Sequence, residues 1–188
     1  MTTVHPVARR ASYTRVLLRV LVACPLLAAS AGRAAAQDEG IAVGSAAPAV
    51  TVPALDGTPV DLARYIGKKP VLIEFWATWC TSCQAMMPRL TAMHERFGGE
   101  VEFIGINVTI SETREGVAAY VKEHAPPFLT LYDEAGEGAR AYDPPATSFI
   151  VIADRSGRIV YTGAGGTQNL EPALLAVTGR ASPTNGKE

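Results

Sequence analysis

The sequence predicts an α/β domain in which a mixed central sheet is flanked by helices on both faces. Residues 71–76 (VLIEFW) form a nearly continuous apolar run, which is typical of a central strand buried on both sides. Strand and helix patterns alternate as far as residue 132, and two strands joined by a turn and a last helix follow. This order, βαβα and then ββα, favours a sheet with both parallel and antiparallel neighbours.

An N-terminal β-hairpin is expected before this core. Residues 41–54 are extended, with prolines that interrupt any helix. Asp56-Gly57 supplies the positive φ angles of a tight turn, and residues 58–62 form the return strand.

The first half of the core continues with a helix from about Cys80 to Phe97, which contains Pro88 and ends at Gly98-Gly99. Residues 101–108 form the next strand. A helix inserted between the βαβ and ββα halves is expected to be capped by Ser111 and to run to about His124. A short strand over 128–132 follows.

The second half is an antiparallel pair and a helix. Residues 148–152 and 158–162 pair around the turn Asp154-Arg155-Ser156-Gly157. Asn169 is expected to cap the last helix, which ends at Gly179.

Charge is distributed unevenly along the 188 residues, although the net charge is only −1 and gives no reason to expect nucleic-acid binding. The first 36 residues hold five arginines and no acid, whereas the remaining 152 hold 12 basic and 18 acidic side chains. Such asymmetry is typical of an N-terminal targeting segment.

Residues 1–36 have the layout of a secretory signal. A basic stretch precedes the apolar residues 20–31, and Ala34-Ala35-Ala36 offers small residues for cleavage. We therefore expect export, with a domain over 37–179 and a polar tail over 180–188. An uncleaved membrane anchor and lipidation at Cys24 are the alternatives.

Cys80 and Cys83 carry the chemistry. They follow the apolar strand and open a predicted helix, where unpaired backbone N–H groups and the helix dipole favour a thiolate. The spacing places Cys83 one turn along, within reach for a disulfide. If Cys24 leaves with the signal, no other cysteine remains, which disfavours zinc because two ligands would be missing.

Residues 75–88 (FWATWCTSCQAMMP) resemble the motif of the TlpA/ResA/CcmG group of exported thiol–disulfide oxidoreductases. The resemblance covers roughly residues 41–178. It implies a thioredoxin fold, Cys80 as the attacking thiol and Cys83 as the resolving thiol. It also implies that Trp76 and Trp79 shape the site that binds partner proteins, with no organic cofactor or metal needed.

A cis-proline that faces the cysteines is another feature of this group. Pro145 is the favoured candidate here, and it would then contact the partner backbone. If the register is set from the Asp154 turn instead, Ser148 falls at that position.

Glu74 interrupts the apolar strand six residues before Cys80. In thioredoxins the matching position often carries a buried acid beneath the cysteine pair. Burial would raise the pKa of this carboxyl, and it could then accept a proton from Cys83 during resolution. In the alternative, Glu74 faces an edge and reaches solvent or pairs with Lys68 or Lys69.

The sequence therefore predicts an exported dithiol–disulfide oxidoreductase that exchanges electrons with protein disulfides. Thr81-Ser82 between the cysteines carries no basic side chain, which favours a reductase over a strong oxidant. The resemblance suggests a membrane thiol donor and a role in cytochrome c maturation. The alternative is a copper or apoprotein chaperone that binds through the same dithiol, because thiolates suit Cu(I).

Overall fold

The computed structural model describes residues 1–3 and 40–181. Residues 40–181 belong to one compact unit. The predicted signal segment beyond residue 3, Cys24 and most of the polar tail lie outside the described residues. In the described ranges, no helix has the length and apolar character needed to cross a bilayer.

The core is a five-stranded mixed sheet in the order β5-β4-β3-β6-β7. Its strands are β3 (Val71–Trp76), β4 (Glu102–Asn107), β5 (Leu129–Tyr132), β6 (Phe149–Ala153) and β7 (Ile159–Ala164). The neighbours β3, β4 and β5 are parallel, whereas β6 and β7 are antiparallel to their neighbours. The predicted mixed sheet is confirmed, and β3 is its central strand with every residue buried.

The predicted N-terminal hairpin is also confirmed. It pairs β1 (Thr51–Pro53) with β2 (Pro59–Asp61) in an antiparallel sheet of its own. The turn contains Gly57, whose φ of 85° explains the choice of glycine. A short 3-10 helix, Leu62–Arg64, follows directly.

In residues 40–181, four α-helices accompany the sheet: α1 (Thr81–Phe97), α2 (Arg114–His124), α3 (Glu137–Tyr142) and α4 (Glu171–Thr178). The sequence reasoning missed α3, and it misplaced two caps. Thr113 caps α2 through its hydroxyl, whereas Ser111 lies in the preceding loop with a φ of 57°. Leu170 begins α4 without a side-chain cap, in place of Asn169.

Alternate residues of β3 face two different layers. Ile73 and Phe75 pack with the hairpin residue Val52 and with Tyr142 of α3. Leu72 points to the opposite face, where it packs with Met86 of α1 and other side chains of α1 and α4. Helices therefore lie on both faces, as predicted, and the carboxyl end of β3 leads directly into the amino end of α1.

Candidate active site

Cys80 and Cys83 form a disulfide at the amino end of α1. Their Cα atoms are 5.2 Å apart, as the one-turn spacing predicted. Cys80 is the N-cap residue of α1, and its Sγ accepts the backbone N–H of Cys83 at 3.0 Å. The same N–H would stabilise a thiolate on Cys80 after reduction, which supports Cys80 as the attacking sulfur.

Burial distinguishes the residues around the disulfide. Cys80 is 3% exposed and Cys83 is 1% exposed, so that both lie just below the surface in the disulfide form. Trp79, in contrast, is 48% exposed beside them. Trp79 is therefore accessible to a partner protein, and its role in shaping the binding site stays a prediction.

Trp76 lies in the interior and packs in one cluster with both cysteines. It is fully buried, and its ring lies 5.6 Å from those of Tyr120 and Phe128. This placement lets Trp76 support the cysteine pair from inside the domain. Its part in partner binding stays a prediction.

Glu74 is completely buried in the middle of β3. Neither carboxylate oxygen has a hydrogen-bond partner among the described residues. Burial raises the pKa of Glu74 from 4.5 to about 8. Because Glu74 is fully buried and its oxygens have no partner in the described ranges, the alternative in which it reaches solvent or pairs with Lys68 or Lys69 is wrong. Lys69 pairs instead with Glu102 at 2.5 Å.

The strand alternation places Glu74 on the face that carries Leu72 and Trp76. On α1, Cys83 and Met86 are three residues apart and share the buried side of the helix. Since Met86 packs with Leu72, and Cys83 packs with Trp76, the position between Leu72 and Trp76 faces α1 as well. That position is Glu74, as the role of an acid beneath the cysteine pair requires.

Gly105 of β4 pairs with Glu74, and the ring of Phe128 occupies the space above it. A Cβ at Gly105 would overlap that ring. Tyr120 of α2 and Phe128 pack against Trp76, on the face of β3 that carries Glu74. Burial and then the charge of Glu74 raise the pKa of the Tyr120 phenol. These rings contribute to the desolvation of Glu74.

A loop between β4 and α2 holds the segment before Cys80, and the sequence reasoning did not find it. Glu112 accepts the Thr78 N–H at 2.9 Å on one oxygen and the Asn107 amide at 2.7 Å on the other. The Trp79 indole N–H donates to the carbonyl of Ile110 at 2.8 Å. The only sequence signal was an acid shortly after a buried strand, which is too common to single out.

Pro145 requires a correction. In the ranges 1–3 and 40–181 no peptide bond is cis, so that the cis geometry expected at Pro145 is not found. Pro145 is exposed and approaches Gly40 of the N-terminal segment. Ser148, the other candidate position, is buried directly before β6, and its N–H donates to the carbonyl of Phe75 at 2.8 Å.

Comparison with known proteins identifies the family of the chain. Residues 42–177 match the family described as Redoxin. The chain belongs to that family. A curated relative, the thiol-disulfide oxidoreductase ResA of Bacillus thuringiensis, is 29% identical over 147 residues, covering 76% of this chain and 82% of that protein.

Two further similarities agree with this assignment. The thiol:disulfide interchange protein TxlA homolog of Synechocystis is 42% identical over 65 residues, which are 35% of this chain and 36% of that protein. The crystal structure of a putative thiol:disulfide interchange protein DsbE from Chlorobium tepidum aligns with a TM-score of 0.65 at 22% identity, covering 73% of this chain and 98% of that one. The predicted thioredoxin fold and the resemblance to the TlpA/ResA/CcmG group are confirmed. The protein is a redox-active thiol–disulfide oxidoreductase.

Proposed function

We propose that this redoxin is an exported reductase that transfers two electrons from its Cys80–Cys83 dithiol to disulfides of partner proteins. The observation that carries the proposal is the disulfide at the amino end of α1 with Glu74 buried behind it. The Cys80 thiolate attacks the partner disulfide, one partner sulfur leaves as a thiolate, and a mixed disulfide forms. Cys83 then attacks Cys80, which releases the reduced partner and restores the internal disulfide.

Glu74 is the internal base in this cycle. The Cys83 thiol must lose a proton when it attacks, and a carboxylate on the facing strand can accept it directly or through a water molecule. With a pKa of about 8, the ionised form of Glu74 is a much stronger base than an ordinary carboxylate, and the ionised fraction that can accept the proton rises as the pH approaches 8. Burial of an acid without a hydrogen bond is unfavourable for folding, so that a role in exchange explains its presence.

Electron flow towards the partner is supported by the residues between the cysteines. Thr81 and Ser82 carry no positive charge that would stabilise a Cys80 thiolate, and strong oxidants depend on a stabilised reduced form. A reductase in an oxidising compartment needs a supply of electrons, for which a membrane thiol donor is the simplest source. The resemblance to the TlpA/ResA/CcmG group makes a haem-site disulfide in cytochrome c maturation the candidate substrate.

The reduction potential of the Cys80–Cys83 pair tests the direction of transfer. We expect a value between about −200 and −300 mV, the range of glutaredoxins and thioredoxin, from equilibration with dithiothreitol redox buffers. A value near the roughly −120 mV of a strong periplasmic oxidant would overturn the reductase assignment. Absence of turnover together with tight stoichiometric Cu(I) binding would favour the copper chaperone instead.

The separate roles of the two cysteines can be tested by trapping. Cys83→Ser should accumulate mixed disulfides with partner proteins, because attack by Cys80 survives and resolution does not. Cys80→Ser should accumulate none. Selective alkylation of Cys83 rather than Cys80 in the reduced protein would reverse the assignment.

A further inference from the structure

Ser148, directly before β6, has a paired backbone and an unpaired hydroxyl. Its N–H donates to the Phe75 carbonyl at 2.8 Å, and its own carbonyl accepts the Gly165 N–H at 3.1 Å and the Gln168 side-chain amide at 2.9 Å. The side chain is completely buried, yet its Oγ has no hydrogen-bond partner among the described residues. Burying a hydroxyl without a partner is unfavourable, so that this serine needs an explanation.

The backbone conformation of Ser148 is also unfavourable. Its φ is 60°, in the left-handed region that residues with a side chain seldom adopt and that glycine adopts freely. Such conformations persist only where the surroundings fix them, and they cluster at functional sites. A glycine here would remove both the strain and the unpaired hydroxyl, which indicates a use for the serine side chain.

The register of the sheet places Ser148 next to the cysteine cluster. Phe149 pairs with Phe75, so that Ser148 lies beside Trp76, which packs with both cysteines. Ile150, two residues further along, packs in the layer formed with α1 and α4, and the alternation of the strand gives Ser148 the same face. The hydroxyl therefore belongs to the side of the sheet that carries α1.

The loop after β7 encloses Ser148 from the other side. The Gly165 N–H binds the Ser148 carbonyl. The next residue, Gly166, lies against Ser82, because a Cβ at Gly166 would come within 2.8 Å of the Ser82 carbonyl oxygen. Since Ser82 belongs to the turn between the two cysteines, Ser148 is enclosed between the end of β3 and that turn.

Reduction of the disulfide creates the partner that this hydroxyl lacks. Two electrons break the S–S bond, Cys83 takes up a proton, and Cys80 carries the negative charge once the pH exceeds its pKa. A thiolate accepts hydrogen bonds more strongly than an uncharged disulfide sulfur does. The Cys80 sulfur already accepts the Cys83 N–H at 3.0 Å, and the hydroxyl would add a second donor.

We propose that the Ser148 hydroxyl donates a hydrogen bond to the Cys80 thiolate in the reduced protein and stabilises that form relative to the disulfide. The proposal rests on Cys80 as the attacking thiol of the exchange cycle put forward above, and it names a buried group that sets the reactivity of that thiol. A neutral donor stabilises a thiolate less than a positive charge does, which agrees with a potential in the range of reductases.

Other ionisable groups near the cysteines stay the same when only Ser148 is changed. Besides Cys83, the titratable side chains packed around the pair are Glu74 on β3, Glu112 in the loop before α2, Tyr120 on α2 and Tyr132 on β5. The loop after β7 brings none, because residues 165–168 are Gly-Gly-Thr-Gln. A difference between wild type and a Ser148 variant therefore reports on Ser148 itself.

The test measures the pKa of Cys80 in the reduced full-length protein, from the pH dependence of its alkylation by iodoacetamide, with the labelled residue identified by mass spectrometry. Equilibration with dithiothreitol, a dithiol that supplies the two electrons, gives the reduction potential at pH 5.5 and 9. Ser148→Ala removes the hydroxyl and keeps the left-handed strain, whereas Ser148→Gly removes both. Thr130→Val is the matched control, because the Thr130 hydroxyl is also buried without a partner in the described ranges but lies on the edge strand β5.

We expect both Ser148 variants to raise the pKa of Cys80 by about one, the effect of one hydrogen bond to a charged group. At pH 9, where Cys80 is ionised, their equilibrium with dithiothreitol should favour the disulfide about tenfold more than in wild type, which corresponds to a potential about 30 mV more negative. At pH 5.5 the thiol is neutral in every variant, and the potentials should coincide. Thr130→Val should match wild type at both pH values.

An unchanged pKa of Cys80 in both Ser148 variants would overturn the proposal. So would a change in Ser148→Ala alone, because that result assigns the effect to backbone strain, or an equal change in Thr130→Val, because that result assigns it to the loss of any buried hydroxyl. A wild-type potential in the range of strong oxidants would instead revise the proposed direction of electron flow, while the difference between wild type and the Ser148 variants would still support the hydrogen bond.

Discussion

Two carboxylates, Asp133 and Glu74, are buried in the part of the domain that the structure describes, and only one of them accepts hydrogen bonds. Asp133, 3% exposed, accepts the N–H groups of Gly138 and Ala139 at 3.1 and 2.8 Å at the start of α3. Glu74, with no exposure, accepts none. Asp133 therefore stabilises the fold around it, whereas Glu74 costs stability in its ionised form and needs another reason to be present.

The largest expected effect concerns the pH dependence of stability in Glu74→Gln. The pKa of Glu74 is about 8 in the folded protein and about 4.5 in the unfolded chain, so that between these values the unfolded chain loses a proton that the folded protein keeps. The free energy of unfolding of the wild-type protein should therefore fall with rising pH, by about 1.4 kcal/mol per pH unit.

Glu74→Gln lacks this group, and the variant should gain about 3 to 4 kcal/mol relative to wild type between pH 5 and 8. Urea unfolding of the oxidised proteins at several pH values measures the difference. Parallel curves for the two proteins would show that Glu74 titrates like an exposed acid.

Replacing Asp133 by its amide should lower the free energy of unfolding, whereas the same change at Glu74 should raise it. Asp133→Asn keeps the shape but offers one acceptor oxygen to the two N–H groups of α3, and we expect a loss of about 2 kcal/mol in the free energy of unfolding. The rate of disulfide exchange should stay within about twofold of wild type, since the Asp133 carboxylate accepts its hydrogen bonds from the start of α3 and not from the segment that carries the cysteines. A large fall in the rate of disulfide exchange in a folded Asp133→Asn protein would contradict the assignment of a purely structural role to Asp133.

A smaller effect is expected at Gly105, where the Phe128 ring covers the site next to Glu74. Gly105→Ala should displace that ring and cost about 1 to 2 kcal/mol in stability. The pKa of Glu74 should then fall towards its ordinary value, because water gains access to the carboxyl. Gly99→Ala is the control, since a Cβ there meets nothing within 4 Å. An unchanged pKa of Glu74 in a destabilised Gly105→Ala protein would show that the Phe128 ring is not what keeps water from the carboxyl.

The comparison also shows what the sequence could predict. β3, α1 and the disulfide were predictable because an apolar run, a helical period and a two-cysteine spacing are local patterns, and the burial of Glu74 followed from its place in that run. The role of Asp133 was not predictable, since it depends on α3, a six-residue helix whose packing is decided by tertiary contacts such as Tyr142 against Phe75.

The loop that holds the active site was missed for a related reason. Its key contacts join Glu112 to Thr78 and Ile110 to Trp79, pairs separated by 34 and 31 residues. The φ angles of Thr109 and Ser111 are positive, although glycine and asparagine are the residues that usually indicate this conformation in a sequence. Ser111 therefore looked like a helix cap, whereas Thr113 has that position.

The rate at which Cys83 resolves a mixed disulfide tests most directly the claim that Glu74 is the internal base. Stopped-flow tryptophan fluorescence can follow this step in the wild-type protein and in Glu74→Gln from pH 5 to 9, with Asp133→Asn as the control for an amide replacement in the interior. We predict that Glu74→Gln is slower by about tenfold or more near pH 7, in line with the loss of a general base. We also predict that the wild-type pH profile contains an inflection that the Gln variant lacks. Superimposable profiles for wild type and Glu74→Gln across this range would contradict the account.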